Sequence, residues 1–112
     1  MGRLIGVELV APLVAIAAIG FAVTGHEAPR PVSHRVEMSG IAFHPATLRA
    51  HVGDTITWVN HDLVPHTSTV KGGWDTGSIA AGDSALVVLR HRGQWQYACS
   101  FHPTMKGELT VR

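Results

Sequence analysis

A chain of 112 residues with nine Lys/Arg against eight Asp/Glu has room for one domain and is close to neutral. Its charges are scattered, which argues against the clustered basic face that nucleic-acid binding needs. A single cysteine rules out an internal disulfide, and a lone thiol in an exported protein points to intermolecular pairing, a reactive role or protection by a metal.

The chain opens on Met1-Gly2-Arg3, followed by an almost wholly apolar run from Leu4 to Val23. One positive charge, a long apolar stretch and then polar residues read as a signal peptide or an uncleaved membrane anchor over residues 1–25, in the form of a hydrophobic helix. The uninterrupted part, Leu9 to Val23, has fifteen residues, which is long for a signal core and short for a span. Glu8 and Pro12 weaken both readings, and Ala22-Val23-Thr24 is the nearest approach to a cleavage site. A buried amphipathic helix is the alternative, disfavoured because no polar face recurs at helical spacing. Either leading reading predicts a periplasmic or otherwise extracytoplasmic protein. Residues 26–33, with Pro29 and Pro31, read as a linker, and residues 34–112 as one globular domain.

Within that domain, short β-rich runs alternate with turn residues. His34 to Met38 alternates and ends at Ser39-Gly40, Ile41 to Phe43 is a brief second run, and Thr47 to Val52 alternates up to Gly53-Asp54. Thr55 to Asn60 is a strong strand candidate with Ile56 and Trp58 on one face, and Thr67 to Val70 is expected to be another. An irregular stretch holding Trp74 and Ile79 follows, bracketed by Gly72-Gly73 and Gly82-Asp83. Ser84 to Arg90, Gln94 to Cys99 and Gly107 to Arg112 complete the set. About seven short strands with regular turn signals indicate an all-β sandwich or barrel. Strand phasing places Trp95, Tyr97 and Cys99 on the same, core-facing side.

The chemistry concentrates in Cys99-Ser-Phe-His102-Pro-Thr-Met105, followed by Gly107 and the last strand. A buried cysteine often acts as a small hydrophobe, and methionine often fills gaps in cores, as Met38 is expected to do. Here, however, a loop after Cys99 can return the residues three and six positions later toward the sulfur. Soft sulfur together with imidazole selects copper, and two histidines, a thiolate and a weak axial methionine form an electron-transfer site. Zinc fits poorly, because a thioether is an unlikely fourth ligand for it. The second histidine is assigned to His66, stiffened by Pro65. His61 is the main competitor and is placed in solvent. His26 and His34 lie in or near the linker, and His44, His51 and His91 sit in runs or turns without a second ligand nearby.

The region from Val36 to Arg112 resembles the small blue-copper proteins, the cupredoxins. The resemblance rests on Met38-Ser-Gly-Ile-Ala-Phe-His-Pro45, Val52 to Asn60, Pro65-His66, Gly73-Trp-Asp-Thr-Gly77 and Tyr97 to Gly107. The short spacing between His102 and Met105 is most similar to the amicyanin type. The resemblance implies a Greek-key β-sandwich holding one type 1 copper ion, with His66, Cys99 and His102 as strong ligands and Met105 as the weak axial one. It implies a monomeric one-electron carrier, not an enzyme, that docks transient redox protein partners near His102. An envelope protein that binds or delivers copper without a redox partner is the alternative. Val64, Pro65, Phe101 and Pro103 are expected to form an apolar rim around His102. One departure stands out: many relatives have Asn after the first ligand histidine, where this chain has Thr67. The Thr67 hydroxyl is expected to tie the two ligand loops together in its place, and its N–H to reach the Cys99 sulfur.

Overall fold

The computed structural model describes residues 2, 6, 10–22, 24–25 and 29–112. Strands account for the regular structure: β1 (Ser33–Met38), β2 (Phe43–His44), β3 (Thr47–Ala50), β4 (Thr55–Asn60), β5 (Ser84–Val88), β6 (Gly93–Ala98) and β7 (Lys106–Val111). They form two sheets, one ordered β2-β1-β4-β5 and the other β3-β7-β6. β1 runs parallel to β4 and β3 parallel to β7, while the other pairs are antiparallel. Parallel neighbours cannot be joined by a tight hairpin, so the chain crosses between sheets at β2–β3, β3–β4 and β5–β6.

The alternation that marks the strands also builds the core. Ile56, Trp58 and Asn60 point inward from β4, and Leu109 and Val111 from β7. They meet Val36, Met38, Phe43 and Tyr97 in one buried cluster that also includes Cys99 and Met105. Met38 is wholly buried, as a core filler should be. Aromatic rings fill the middle: Trp58 packs edge-on against Tyr97 at 5.8 Å, and Phe43 against Tyr97 at 4.7 Å.

Three expectations are corrected. First, the hydrophobic helix expected over the leading segment is absent among the described residues 10–22, whose apolar side chains are exposed. A helix of that length is marginal without a face to bury, and nothing in the sandwich packs on these residues; residues 1, 3–5, 7–9 and 23 lie outside the described part. Among the described residues no helix is long and apolar enough to cross a membrane.

Second, Thr67–Val70 is not a strand. Thr69 makes single bridges to Asp75 and Ala98, and the hydroxyls of this segment bond to neighbouring loops instead. Third, Ile41 is not extended. It adopts φ of 56°, a left-handed conformation that costs a β-branched residue about 1–2 kcal/mol.

Candidate metal centre

Two short stretches converge at one end of the sandwich. The first runs from the end of β4. Asn60, fully buried, donates through Nδ2 to the carbonyls of Val64 (2.9 Å) and Ile79 (3.0 Å) and accepts the Asp62 N–H at 2.9 Å. These bonds curl residues 60–66 into a fixed loop. His66 then pairs with Ile79 by two backbone bonds of 3.1 and 2.7 Å. Its ring is completely buried.

The second stretch follows β6. Cys99 donates its N–H to the Met105 carbonyl at 3.0 Å, and Met105 donates to the His102 carbonyl at 2.8 Å. The His102 N–H returns to the Cys99 carbonyl at 3.3 Å. Backbone bonds thus close Cys99, His102 and Met105 into one tight loop, with Cys99 and Met105 buried and His102 half-buried. Nδ1 of His66 and Nδ1 of His102 each lie 3.7 Å from Cys99 Sγ. Among the described residues, His66, Cys99 and His102 form the group whose donor atoms all lie within 4.8 Å of one another. His61, the sequence competitor, is exposed and pairs with Glu37 instead.

The thiol is held ready to ionise. Burial pushes its pKa up, but the Thr67 N–H, the His102 ring, the Phe101 amide and the His66 ring together outweigh burial and bring it down to about 6. The Thr67 bond to the sulfur is 3.3 Å long. The Thr67 hydroxyl accepts the Ser100 N–H at 2.8 Å and lies 2.9 Å from the Thr69 hydroxyl. Both expectations placed on Thr67, a tie between the loops and a donor to sulfur, are met by these contacts.

One group was not anticipated. Asp62 accepts the Nε2–H of His66 at 2.7 Å and the N–H groups of Gly40 and Ile41 at 2.7 and 2.9 Å. Gly40 and Ile41 both have positive φ, so their successive N–H groups form a small anion-binding concavity around the carboxylate. Burial opposes ionisation of Asp62, yet the Ile41 amide, His66 and the Gly40 amide together hold its pKa below the usual carboxylate range. With Nε2 committed to Asp62, the His66 Nδ1 lone pair is free to face the sulfur side. A local clue existed in Asn60-His61-Asp62, but the Gly40 and Ile41 partners are more than twenty positions away.

Two imidazole nitrogens facing a thiol of depressed pKa are a donor set for a soft or borderline metal ion. The Cupredoxin-like domain model matches residues 11–111. The chain belongs to the cupredoxin-like family.

Other likenesses agree with this cupredoxin assignment. The chain is 26% identical to amicyanin of Paracoccus denitrificans over 88 residues, covering 68% of this chain and 63% of that protein. It therefore spans less than two thirds of that relative. It is 27% identical to amicyanin-alpha of Methylorubrum extorquens over 85 residues, covering 70% of this chain and 71% of that protein. A solved Cu(I) amicyanin variant superposes with a TM-score of 0.68 at 23% identity, over 77% of this chain and 87% of that one. A copper-containing nitrite reductase from Thermus scotoductus superposes with a TM-score of 0.64 at 29% identity, over 76% of this chain but 23% of that chain.

Proposed function

We propose that this cupredoxin holds a single type 1 copper ion and serves as a one-electron carrier. The observation that carries the reading is the convergence of His66 Nδ1 and His102 Nδ1 on Cys99 Sγ. These three residues would be the strong ligands. Met105, buried and tied through its backbone to both Cys99 and His102, would be the weak axial ligand. Solved structures of similar fold are described as a Cu(I) amicyanin and a copper-containing nitrite reductase, which supports copper as the ion.

Copper supplies the exchange of one electron between Cu(I) and Cu(II). The protein's part is to keep the ligands still. The Asn60 bonds, the Asp62 clamp on His66 and the closed Cys99–Met105 loop each remove a degree of freedom that would otherwise reorganise with the charge. A closed His₂Cys–Met set leaves no position for a substrate, so the reading is of a carrier and not an enzyme. His102 is the least buried of the four. It lies between Phe101, which is 52% exposed, and Pro103, with exposed Leu63 and Val64 on the His66 loop. This apolar rim would meet redox partners in small, transient contacts. The apolar run near the start of the chain and the protected thiol support work outside the cytoplasm, by a domain spanning residues 34–112 and behaving as a monomer.

The deciding experiment is to add Cu(II) to the purified protein and record its visible spectrum. An intense thiolate-to-copper band that disappears in Cys99→Ser is expected. A weak spectrum of tetragonal type that survives the substitution would falsify the ligand assignment.

A further inference from the structure

A groove of about 380 Å³ lies beside Trp74 and Trp95, with Leu86, Val88, Arg90 and His91 along its wall. β5 and β6, the strands that bear Leu86, Val88 and Trp95, are the edges of their respective sheets. Leu86 is 60% and Val88 40% exposed. No carboxylate lines the groove, and exposed Arg92 follows Arg90 and His91 in the chain. An apolar, tryptophan-rich floor with a cationic edge has the composition of a protein-docking face. It shares no residue with the rim around His102.

The groove is also wired to the sulfur. The Thr67 N–H donates to Cys99 Sγ at 3.3 Å. Ser68, next in the chain and fully buried, accepts the Trp74 Nε1–H at 3.0 Å. The Trp74 ring lies 6.1 Å from the Trp95 ring, centre to centre, in an edge-on arrangement. It lies 6.0 Å from Tyr97, which stands two residues before Cys99. Two hydrogen bonds, one peptide step and one ring contact thus join Sγ to the groove. Along the extended chain Trp95 stands about 13 Å from Cys99.

We propose that this groove is a second docking face, for an acidic one-electron partner protein, and that Ser68, Trp74 and Trp95 form its electronic link to Cys99. The inference rests on the copper-carrier reading. One electron leaves the Cu(I) protein, which becomes Cu(II), and reduces a one-electron acceptor held in the groove; no proton or bond is exchanged. Arg90 and Arg92 supply attraction for an anionic partner, and the two indoles supply area for contact.

Two measurements on the full chain test it. Hexacyanochromate(III), a paramagnetic and redox-inert trianion, is titrated into the ¹⁵N-labelled protein without copper. Line broadening is expected at the Trp74 and Trp95 indole N–H signals and at the Arg90 to Arg92 amides. Broadening centred on Phe101 and His102 overturns the docking face, and so does a dimer in sedimentation that protects the groove signals. Oxidation of the Cu(I) protein by ferricyanide at low ionic strength is then followed by stopped flow. Trp74→Phe, which keeps a ring but loses the bond to Ser68, and Trp95→Leu should each slow it about tenfold with the visible band unchanged, and Arg90→Gln should weaken its salt dependence. Rates within about twofold of the parent protein in all three variants overturn the link. A parent protein that shows no thiolate-to-copper band defeats the carrier reading itself, and the broadening map still decides where anions dock.

Discussion

The backbone N–H of Thr67 reaches the sulfur of Cys99 at 3.3 Å, across 32 positions of sequence. The same residue accepts the Ser100 N–H on its hydroxyl at 2.8 Å. One side chain and its own amide therefore fasten the His66 stretch to the Cys99 loop twice. Replacing Thr67 by Val keeps the amide and the shape but removes the hydroxyl. The Ser100 N–H then loses its partner, and the protein should lose about 1 kcal/mol of stability. Urea unfolding of the copper-free protein measures this. The visible band of the copper form should persist, because the amide bond to sulfur remains.

A tight contact elsewhere in the ligand loop's support gives a second expectation. Gly107, the second residue of β7, pairs with Tyr97 across the sheet, and a Cβ there would stand 2.2 Å from Tyr97 Cζ. Tyr97 is 2% exposed and wedged among Phe43, Trp58 and Trp74, so it has nowhere to retreat. Gly107→Ala should cost about 2–3 kcal/mol, read as a lower urea midpoint. A variant as stable as the parent would show that the ring can move.

Much of this arrangement was legible in the residues and part of it was not. Thr55–Asn60 and Gln94–Cys99 announced themselves because a strand buried on one face must alternate, and Ile56, Trp58, Tyr97 and Cys99 fall on the buried side. Cys99, His102 and Met105 were readable because a single short loop holds them. Thr67–Val70 misled because β-branched residues suit a strand and a hydroxyl-tied loop equally well. Asp62 escaped because its meaning lies in Gly40 and Ile41, and no local pattern predicts a nest closed over that distance. The Trp74 contacts were likewise hidden, since its partners Ser68, Trp95 and Tyr97 come from separate segments.

Acid should weaken the far end of the sandwich, where Asp54 sits ahead of β4. Asp54 is 2% exposed and accepts the Val32 N–H at 2.8 Å, the His51 N–H at 2.9 Å and a bond with His34 Nε2 at 2.8 Å. The Val32 amide is the largest influence; with His34 and the His51 amide it overcomes burial and draws the carboxyl down to about 2. A folded pKa below the unfolded value of about 3.9 stabilises the fold above that pH. That contribution fades as pH falls from about 4 through 2. Asp54→Asn should cost about 2 kcal/mol at neutral pH and flatten the stability profile between pH 4 and 2. Urea midpoints for both proteins across that range are the check.

If Met105 is the axial donor, removing its sulfur should favour the reduced state. A thioether helps Cu(II) more than Cu(I), so Met105→Leu should retain copper and raise the reduction potential. A tenfold change in the ratio of the two states corresponds to about 59 mV, and a rise of at least that size is expected in cyclic voltammetry. A lowered potential would remove Met105 from the site.

The Asp62 clamp leads to the most specific expectation for the centre. Its carboxylate holds the Nε2–H of His66 and is itself seated on the amides of Gly40 and Ile41. Ile41 accepts a left-handed φ of 56° to reach it. Asp62→Ala should therefore act twice. The His66 ring loses the partner that fixes its tautomer, and copper affinity should fall about 10–100-fold, measured by competition with a chelator. The turn at Gly40-Ile41 loses the anion that satisfied both amides, so those two N–H groups should exchange faster with solvent. Asp62→Asn separates the effects, because an amide oxygen can still accept from the ring while its charge is gone. An intermediate affinity is expected for it. Equal affinities for the parent and both variants would mean that the buried ring is held by packing and the Ile79 backbone pair alone.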